Sequence, residues 1–150
     1  MTLNIASEIL ERLASEPTKK SENTVYKKFL HILNELKLRE FSKDEIEAIE
    51  STLEDLNLEV NPENRKRHFK KSLSKFETYL KDTFSLTSKG YYTNRYGALG
   101  LSFGLLFGVA ILSNLERSLG ITIGLIGGMA VGSVIGRKKD EEAKANGNVL

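Results

Sequence analysis

Two long uncharged stretches constrain this chain more than any other feature. Nineteen residues without a charge run from Gly97 to Leu115, and nineteen more run from Ser118 to Gly136. At ~1.5 Å per residue each stretch forms a helix of about 28 Å, close to the ~30 Å hydrocarbon core of a bilayer. Only Glu116 and Arg117 separate them. The pattern therefore predicts two membrane-spanning helices joined by a tight turn.

Glycines recur at every fourth position in both stretches, from Gly100 to Gly108 and from Gly120 to Gly136, with Gly97 just before the first series. A glycine inside a helix costs ~1 kcal/mol relative to alanine, so a regular series needs a physical reason. In lipid the hydrophobic effect does not draw helices together, and glycine lets two backbones approach closely enough to pack. We predict that these glycines pack the helices against each other or against another subunit: Gly97, Gly100, Gly104, Gly108, Gly120, Gly124, Gly128, Gly132 and Gly136.

Aromatic and basic residues flank the two stretches. Tyr91, Tyr92 and Tyr96 lie where an aromatic belt is expected at a membrane surface. The positive-inside rule places both termini in the cytoplasm and the turn outside. These flanks argue against the alternative, a glycine-rich hairpin buried in a soluble assembly. The basic flanking residues, which we also predict to meet the lipid surface, are Lys89, Arg95, Arg137, Lys138 and Lys139.

The C-terminal part of the chain resembles a known kind of membrane element. From Tyr92 through the glycine series to the charged tail at Asp140, it resembles the glycine-zipper hairpin of small, mostly uncharacterised bacterial membrane proteins. The resemblance covers about the last 60 residues. It implies an inner-membrane location and helix association, and it implies no particular activity.

Residues 1–86 show the apolar spacing of four amphipathic helices and no useful period-two alternation. Pro17 should end the first helix, and Ser42 with Glu45 forms a capping box that should begin the third. Asn61 and Pro62 should begin the fourth. Four such helices should bury their stripes in a small bundle. The expected stripes are Ile5, Ile9, Leu10 and Leu13; Val25, Phe29, Ile32, Leu33 and Leu36; Ile46, Ile49, Leu53 and Leu56; and Phe69, Leu73, Phe76, Leu80 and Phe84.

The charges are distributed unevenly along the chain. Residues 1–60 carry 8 basic and 13 acidic side chains, whereas residues 61–96 carry 9 basic and 3 acidic ones. Basic residues just before an apolar span commonly report topology and attraction to anionic lipid. A solvated face and nucleic acid are the alternatives, and the lack of a base-reading motif argues against the latter. The predicted lipid-surface run is Arg65, Lys66, Arg67, Lys70 and Lys71.

The sequence contains no recognisable catalytic set, metal site or cofactor motif. It has no cysteine, and its two histidines, His31 and His68, lie on different predicted helices. The neighbouring carboxylates occupy the polar side of the third helix, which we interpret as a solvated face or a surface for a basic partner. These carboxylates are Asp44, Glu45, Glu47, Glu50, Glu54 and Asp55.

Together these patterns predict an all-α fold. A four-helix soluble bundle (1–86) is followed by a juxtamembrane segment (87–96), a two-helix transmembrane hairpin (97–136) and a charged cytoplasmic tail (137–150). The predicted function is a non-enzymatic interaction module anchored in the bacterial inner membrane by a self-packing hairpin. The alternative is an oligomeric pore-forming or membrane-perturbing effector gated by the bundle. The expected partners are anionic lipid and an unidentified protein, and homo-oligomerisation stays open.

Overall fold

The computed structural model describes residues 1–17, 19–60, 62–110 and 117–150. The named elements in these ranges are all helices, which confirms the all-α class. They are α1 (Leu3–Ser15), α2 (Lys20–Lys37), α3 (Lys43–Asp55), α4 (Arg65–Phe84), α5 (Tyr91–Ala110) and α6 (Arg117–Ala145). The chain divides into two compact units, one formed by residues 1–86 with Leu150 and the other by residues 87–149.

The first unit is a helical bundle, as predicted. Helix α1 packs against α2 and α3, and α2 packs against α4. Aromatic pairs join α2 to α4: the ring centroids of Phe29 and Phe76 are 5.5 Å apart, and those of Tyr26 and Phe69 are 5.0 Å apart, edge to face. Such pairs stabilise a core beyond the area that they bury. The predicted stripe residues that are buried are Ile9, Leu10, Leu13, Phe29, Ile32, Leu33, Leu36, Ile49, Leu53, Leu56, Phe69, Leu73, Phe76 and Leu80.

The margins of the predicted stripes differ from the observed core. Ile5 and Ile46 are exposed, so their assignment to the core is wrong. Both lie in the first turn of a helix. Conversely, Tyr26 and Leu58 are fully buried although neither was placed in a stripe. Burial raises the pKa of the Tyr26 hydroxyl, with the nearby Glu22 carboxylate adding to the shift.

Local capping sets the helix boundaries in the bundle. The Ser42–Glu45 capping box is confirmed, since the Ser42 hydroxyl accepts from the Glu45 N–H at 3.3 Å and the Glu45 carboxylate accepts from the Ser42 N–H at 2.8 Å. This backbone bond, with a further one from the Ser42 hydroxyl, lowers the pKa of Glu45. Helix α1 ends at Ser15, just before Pro17, as expected.

The predicted start of the fourth helix is wrong. Helix α4 begins at Arg65, and its N-cap is Asn64, whose side chain accepts from the Arg67 N–H at 3.0 Å. Asn61 lies outside the described residues, and Pro62 precedes the helix. An asparagine three residues later makes the capping bond predicted for Asn61, and Pro62 lies in the preceding loop.

In the second unit the segment that follows α6 contacts the segment that precedes α5. Gly147 has a left-handed φ of 71°, and the Asn148 N–H donates to the Ala143 carbonyl at 2.8 Å, a common way for a helix to end. The Thr87 N–H in turn donates to the Asn148 carbonyl at 2.8 Å, and Thr87 and Val149 form an isolated parallel β-bridge. The residues after α6 therefore pair with the residues before α5.

Two isoleucines one turn apart on α3 provide a test of the bundle core. Ile49 is 0% exposed and Ile46 is 36% exposed. Ile49→Ala should lower the free energy of unfolding of the bundle by ~2–5 kcal/mol because it leaves a cavity. Ile46→Ala should cost about 1 kcal/mol or less. Hydrogen-exchange protection of the α2 amides in the full chain measures both effects. Equal losses in the two variants would contradict the assigned core.

Candidate functional site

Glycines of α5 and α6 lie opposite one another in antiparallel register. Gly100 faces Gly128, Gly104 faces Gly124, and Gly108 faces Gly120. A Cβ atom added to Gly108 would lie 2.6 Å from the Gly120 carbonyl oxygen, and the Gly100 and Gly104 positions are tighter still. The two backbones are therefore in direct contact along this ridge, and no side chain fits between them.

The same close approach continues toward the start of α5. A Cβ atom on Gly132 would collide with the Tyr96 carbonyl oxygen, and one on Gly136 would lie 2.5 Å from the Thr93 Cα atom. Gly97 is less crowded, because its nearest neighbour would be the Ser133 hydroxyl at 3.3 Å. The structure thus brings all nine predicted packing glycines to the contact between α5 and α6, with Gly97 at its loosest point.

Gly127 differs from the glycines of this ridge. A Cβ atom built there would have no heavy atom within 4 Å, and the residue is exposed. Its lack of a side chain is therefore not required by the contact between α5 and α6. Gly127 and the tightly packed Gly128 are adjacent in sequence, and only the placement of the two helices separates their roles.

The outer surface of the α5–α6 pair is apolar. The helices bury glycine and turn large side chains outward, as illustrated by Phe103, which is 68% exposed. Soluble monomers rarely expose apolar patches larger than a few hundred Å². The exposed large apolar residues of the pair are Leu99, Phe103, Leu105, Leu106, Phe107, Val109, Leu119, Ile123, Ile126, Met129, Val131, Val134 and Ile135.

One helix among the described residues is long and apolar enough to cross a membrane. It is the segment Ser118–Ala145, judged by length and composition, and only 22% of its most apolar window is buried. A core helix of a soluble protein would be mostly buried instead. The first predicted span, residues 97–115, and the predicted turn extend into residues 111–116, which lie outside the described residues.

Asp140 of α6 caps the start of α5. Its carboxylate accepts hydrogen bonds from the backbone N–H groups of Tyr92 at 2.9 Å and Thr93 at 3.0 Å, and from the Thr93 hydroxyl at 2.6 Å. These amides lie in the first turn of α5, where helix N–H groups lack intrahelical partners and a negative charge is favoured. The sequence predicts Asp140 only as part of the charged tail, because the residues that it caps lie 47 and 48 positions away.

The predicted lipid-surface residues are exposed, with one partial exception. Lys66, Arg67, Lys70 and Lys71 are exposed on α4. Arg65 is half-buried, and its guanidinium donates to the Glu16 carboxylate at 2.5 Å, which raises the pKa of Arg65. The flanking residues of the second unit are also exposed: Lys89, Arg95, Arg137, Lys138 and Lys139.

The described residues show no grouping of three or more His, Asp or Glu side chains that could hold a metal ion. His31 lies 4.0 Å from the Glu35 carboxylate one turn along α2. The His68 Nε2 atom lies 3.3 Å from the Asn57 carbonyl oxygen. Of the predicted acidic face, Glu50 accepts from the Leu3 N–H at 3.3 Å and so joins α3 to α1.

Comparison of the chain with protein-family models, curated proteins and solved structures finds no match. The geometry of α5 and α6 therefore carries the functional interpretation.

Gly124 and Gly127, three residues apart on α6, offer a matched test of the glycine contacts. Gly124→Ala should lower the stability of the α5–α6 pair by ~1–3 kcal/mol, because the new Cβ meets the Gly104 carbonyl and lies 2.8 Å from the Gly108 Cα atom. Gly127→Ala adds the same methyl group in open space and should leave the stability unchanged or slightly higher. The stabilities of the two variants are compared by unfolding the detergent-solubilised chain and monitoring its helical circular dichroism signal. If both variants behave alike, direct backbone contact does not determine the stability of the pair.

The Asp140 cap can be tested separately. Asp140→Ala should lower the free energy of unfolding of the α5–α6 pair by ~0.5–2 kcal/mol, the usual effect of losing an N-cap. Hydrogen exchange at the Tyr92 and Thr93 amides should become faster while the glycine contacts persist. Glu141→Ala removes an exposed carboxylate one residue further along α6 and is the control. Unchanged exchange in Asp140→Ala would show that the cap does not hold the start of α5.

Proposed function

We propose that this chain is an integral membrane protein whose N-terminal helical bundle is an interaction module and whose α5–α6 pair is a glycine-zipper transmembrane hairpin. The observation that carries the proposal is the inverted distribution of side chains in the pair. Glycine backbones are buried between the helices, and large apolar side chains face outward. Lipid solvates such a surface, whereas water does not.

The charges at the ends of the pair support an orientation. The exposed Lys89 and Arg95 precede the apolar part of α5, and the exposed run Arg137 to Lys139 follows the apolar part of α6. Both groups belong on the cytoplasmic side by the positive-inside rule. In this proposal both termini lie in the cytoplasm, and the membrane is the bacterial inner membrane implied by the resemblance.

The use of the glycines within one chain favours an anchor over the alternative of an oligomeric pore. The glycines that would allow subunits to pack closely are already covered by the opposing helix of the same chain. The described spans also contain no ionisable side chain between residues 97–110 or 118–136, so they provide no charged pathway for ions or protons. A pore would need subunit contacts made by the outward apolar side chains instead.

The bundle supplies the surfaces for partners in this proposal. Helix α4 carries an exposed basic face that suits the anionic cytoplasmic leaflet. This face consists of Lys66, Arg67, Lys70 and Lys71. The exposed carboxylates of α3, including Asp44 and Glu47, suit a basic protein partner. The bundle is otherwise held by an ordinary apolar core, and recruitment of partners through these charged faces is its proposed role.

Membrane fractionation and topology mapping test the proposal. The full chain should stay in the membrane pellet after alkaline carbonate, while a chain ending at Leu86 should be released. Reporter fusions at both termini should be active on the cytoplasmic side. Release of the full chain by carbonate would remove the membrane proposal, and a ring of four or more copies around a central passage would favour the pore instead.

A further inference from the structure

One face of the α5–α6 pair carries an open apolar groove of about 700 Å³. Its floor is formed by the glycine ridge, and its walls include Phe103 and Phe107 on α5 and Val131 and Ile135 on α6. Gly127 also lines it, and the missing side chain there widens the groove without serving the helix contact. The α5 residues that line it run from Tyr96 to Phe107, about 16 Å at ~1.5 Å per residue.

The length and the charged end of the groove point to its occupant. About 16 Å is half of the ~30 Å hydrocarbon core, the depth of a single leaflet. The groove ends at Tyr96 and Ile135, on the basic side of the pair. Lys139 lies on the same helix ridge one turn beyond Ile135, and the neighbouring Lys138 is exposed as well. The apolar groove thus leads to cationic side chains at the height of lipid headgroups.

We propose that this groove binds one anionic phospholipid of the cytoplasmic leaflet, an inference that rests on the proposed membrane location. An acyl chain lies along the glycine floor between the aromatic and aliphatic walls, beside Gly127. The headgroup phosphate meets the ammonium groups of Lys138 and Lys139. Basic sites beside membrane helices commonly select anionic headgroups in this way. The groove is only about one leaflet long and ends at cationic side chains, which favours an acyl chain with an anionic headgroup over the full-length spanning helix of a second copy.

Native mass spectrometry of the purified full chain, titrated with phosphatidylglycerol or phosphatidylcholine of the same acyl chains, tests the site. The wild-type chain should retain one phosphatidylglycerol more strongly than one phosphatidylcholine. Gly127→Phe should abolish retention of both lipids because the ring fills the groove, and Gly127→Ala should have a smaller effect. Ala130→Phe places the same ring on an exposed position that does not line the groove, so it should retain lipid like the wild type.

The headgroup is tested with charge variants. Each of Lys138→Gln and Lys139→Gln should weaken phosphatidylglycerol retention about fivefold and leave phosphatidylcholine unchanged. Equal retention by wild type and Gly127→Phe would overturn the site, as would a dimer that Gly127→Phe dissociates. Unchanged headgroup preference in the lysine variants would overturn the anionic assignment. Carbonate resistance of Gly127→Phe, measured in parallel, separates failure of the lipid site from failure of the membrane proposal.

Discussion

Direct contact between two helix backbones determines the rest of the second unit. Where Gly104 meets Gly124, a single added methyl group would overlap the opposing backbone. Glycine is otherwise a poor helix former in water, so this contact must compensate through van der Waals packing over the whole ridge. Because glycine occupies the inner face, most large apolar side chains in the described part of the pair lie on its outer surface. The buried glycine ridge and the apolar exterior are therefore two consequences of the same helix packing.

The two units of the chain use opposite solutions to the same problem. In the bundle, Phe29, Phe76 and their neighbours leave water by packing between helices, which is the ordinary hydrophobic core. In the α5–α6 pair the apolar side chains remain outside and the backbones meet. The bundle core is stabilised by the hydrophobic effect, which requires surrounding water. The second solution needs a surrounding solvent that is itself apolar, and this is why we propose that the pair lies in a membrane.

Polar contacts join the two ends of the second unit, beside the basic residues that flank α5 and α6. Asp140 satisfies amides at the start of α5, and the Asn148 carbonyl receives the Thr87 N–H after the turn at Gly147. These bonds join residues from opposite ends of the unit, and they lie beyond the uncharged part of the spans. In the proposed orientation they occupy the interface between lipid and water, where a charged cap can remain solvated while it holds the register of the glycine ridge.

The sequence by itself determined the elements that depend on near neighbours. Apolar spacing predicted the four helices of the bundle, and the Ser42–Glu45 pair marked a helix start because both partners of the capping box lie within one turn. The cap at Asn64 was missed although its bond to the Arg67 N–H is also local. Apolar spacing does not show that Ile46 is exposed while Tyr26 is buried, since burial depends on which helices cover each position. Likewise, spacing along the chain marks Gly127 only as an extra glycine beside Gly128, and it gives no hint that Asp140 caps a helix 47 residues away. Those features were decided only by the tertiary structure, because they arise where two distant helices approach and the chain between them carries no local sign of the contact.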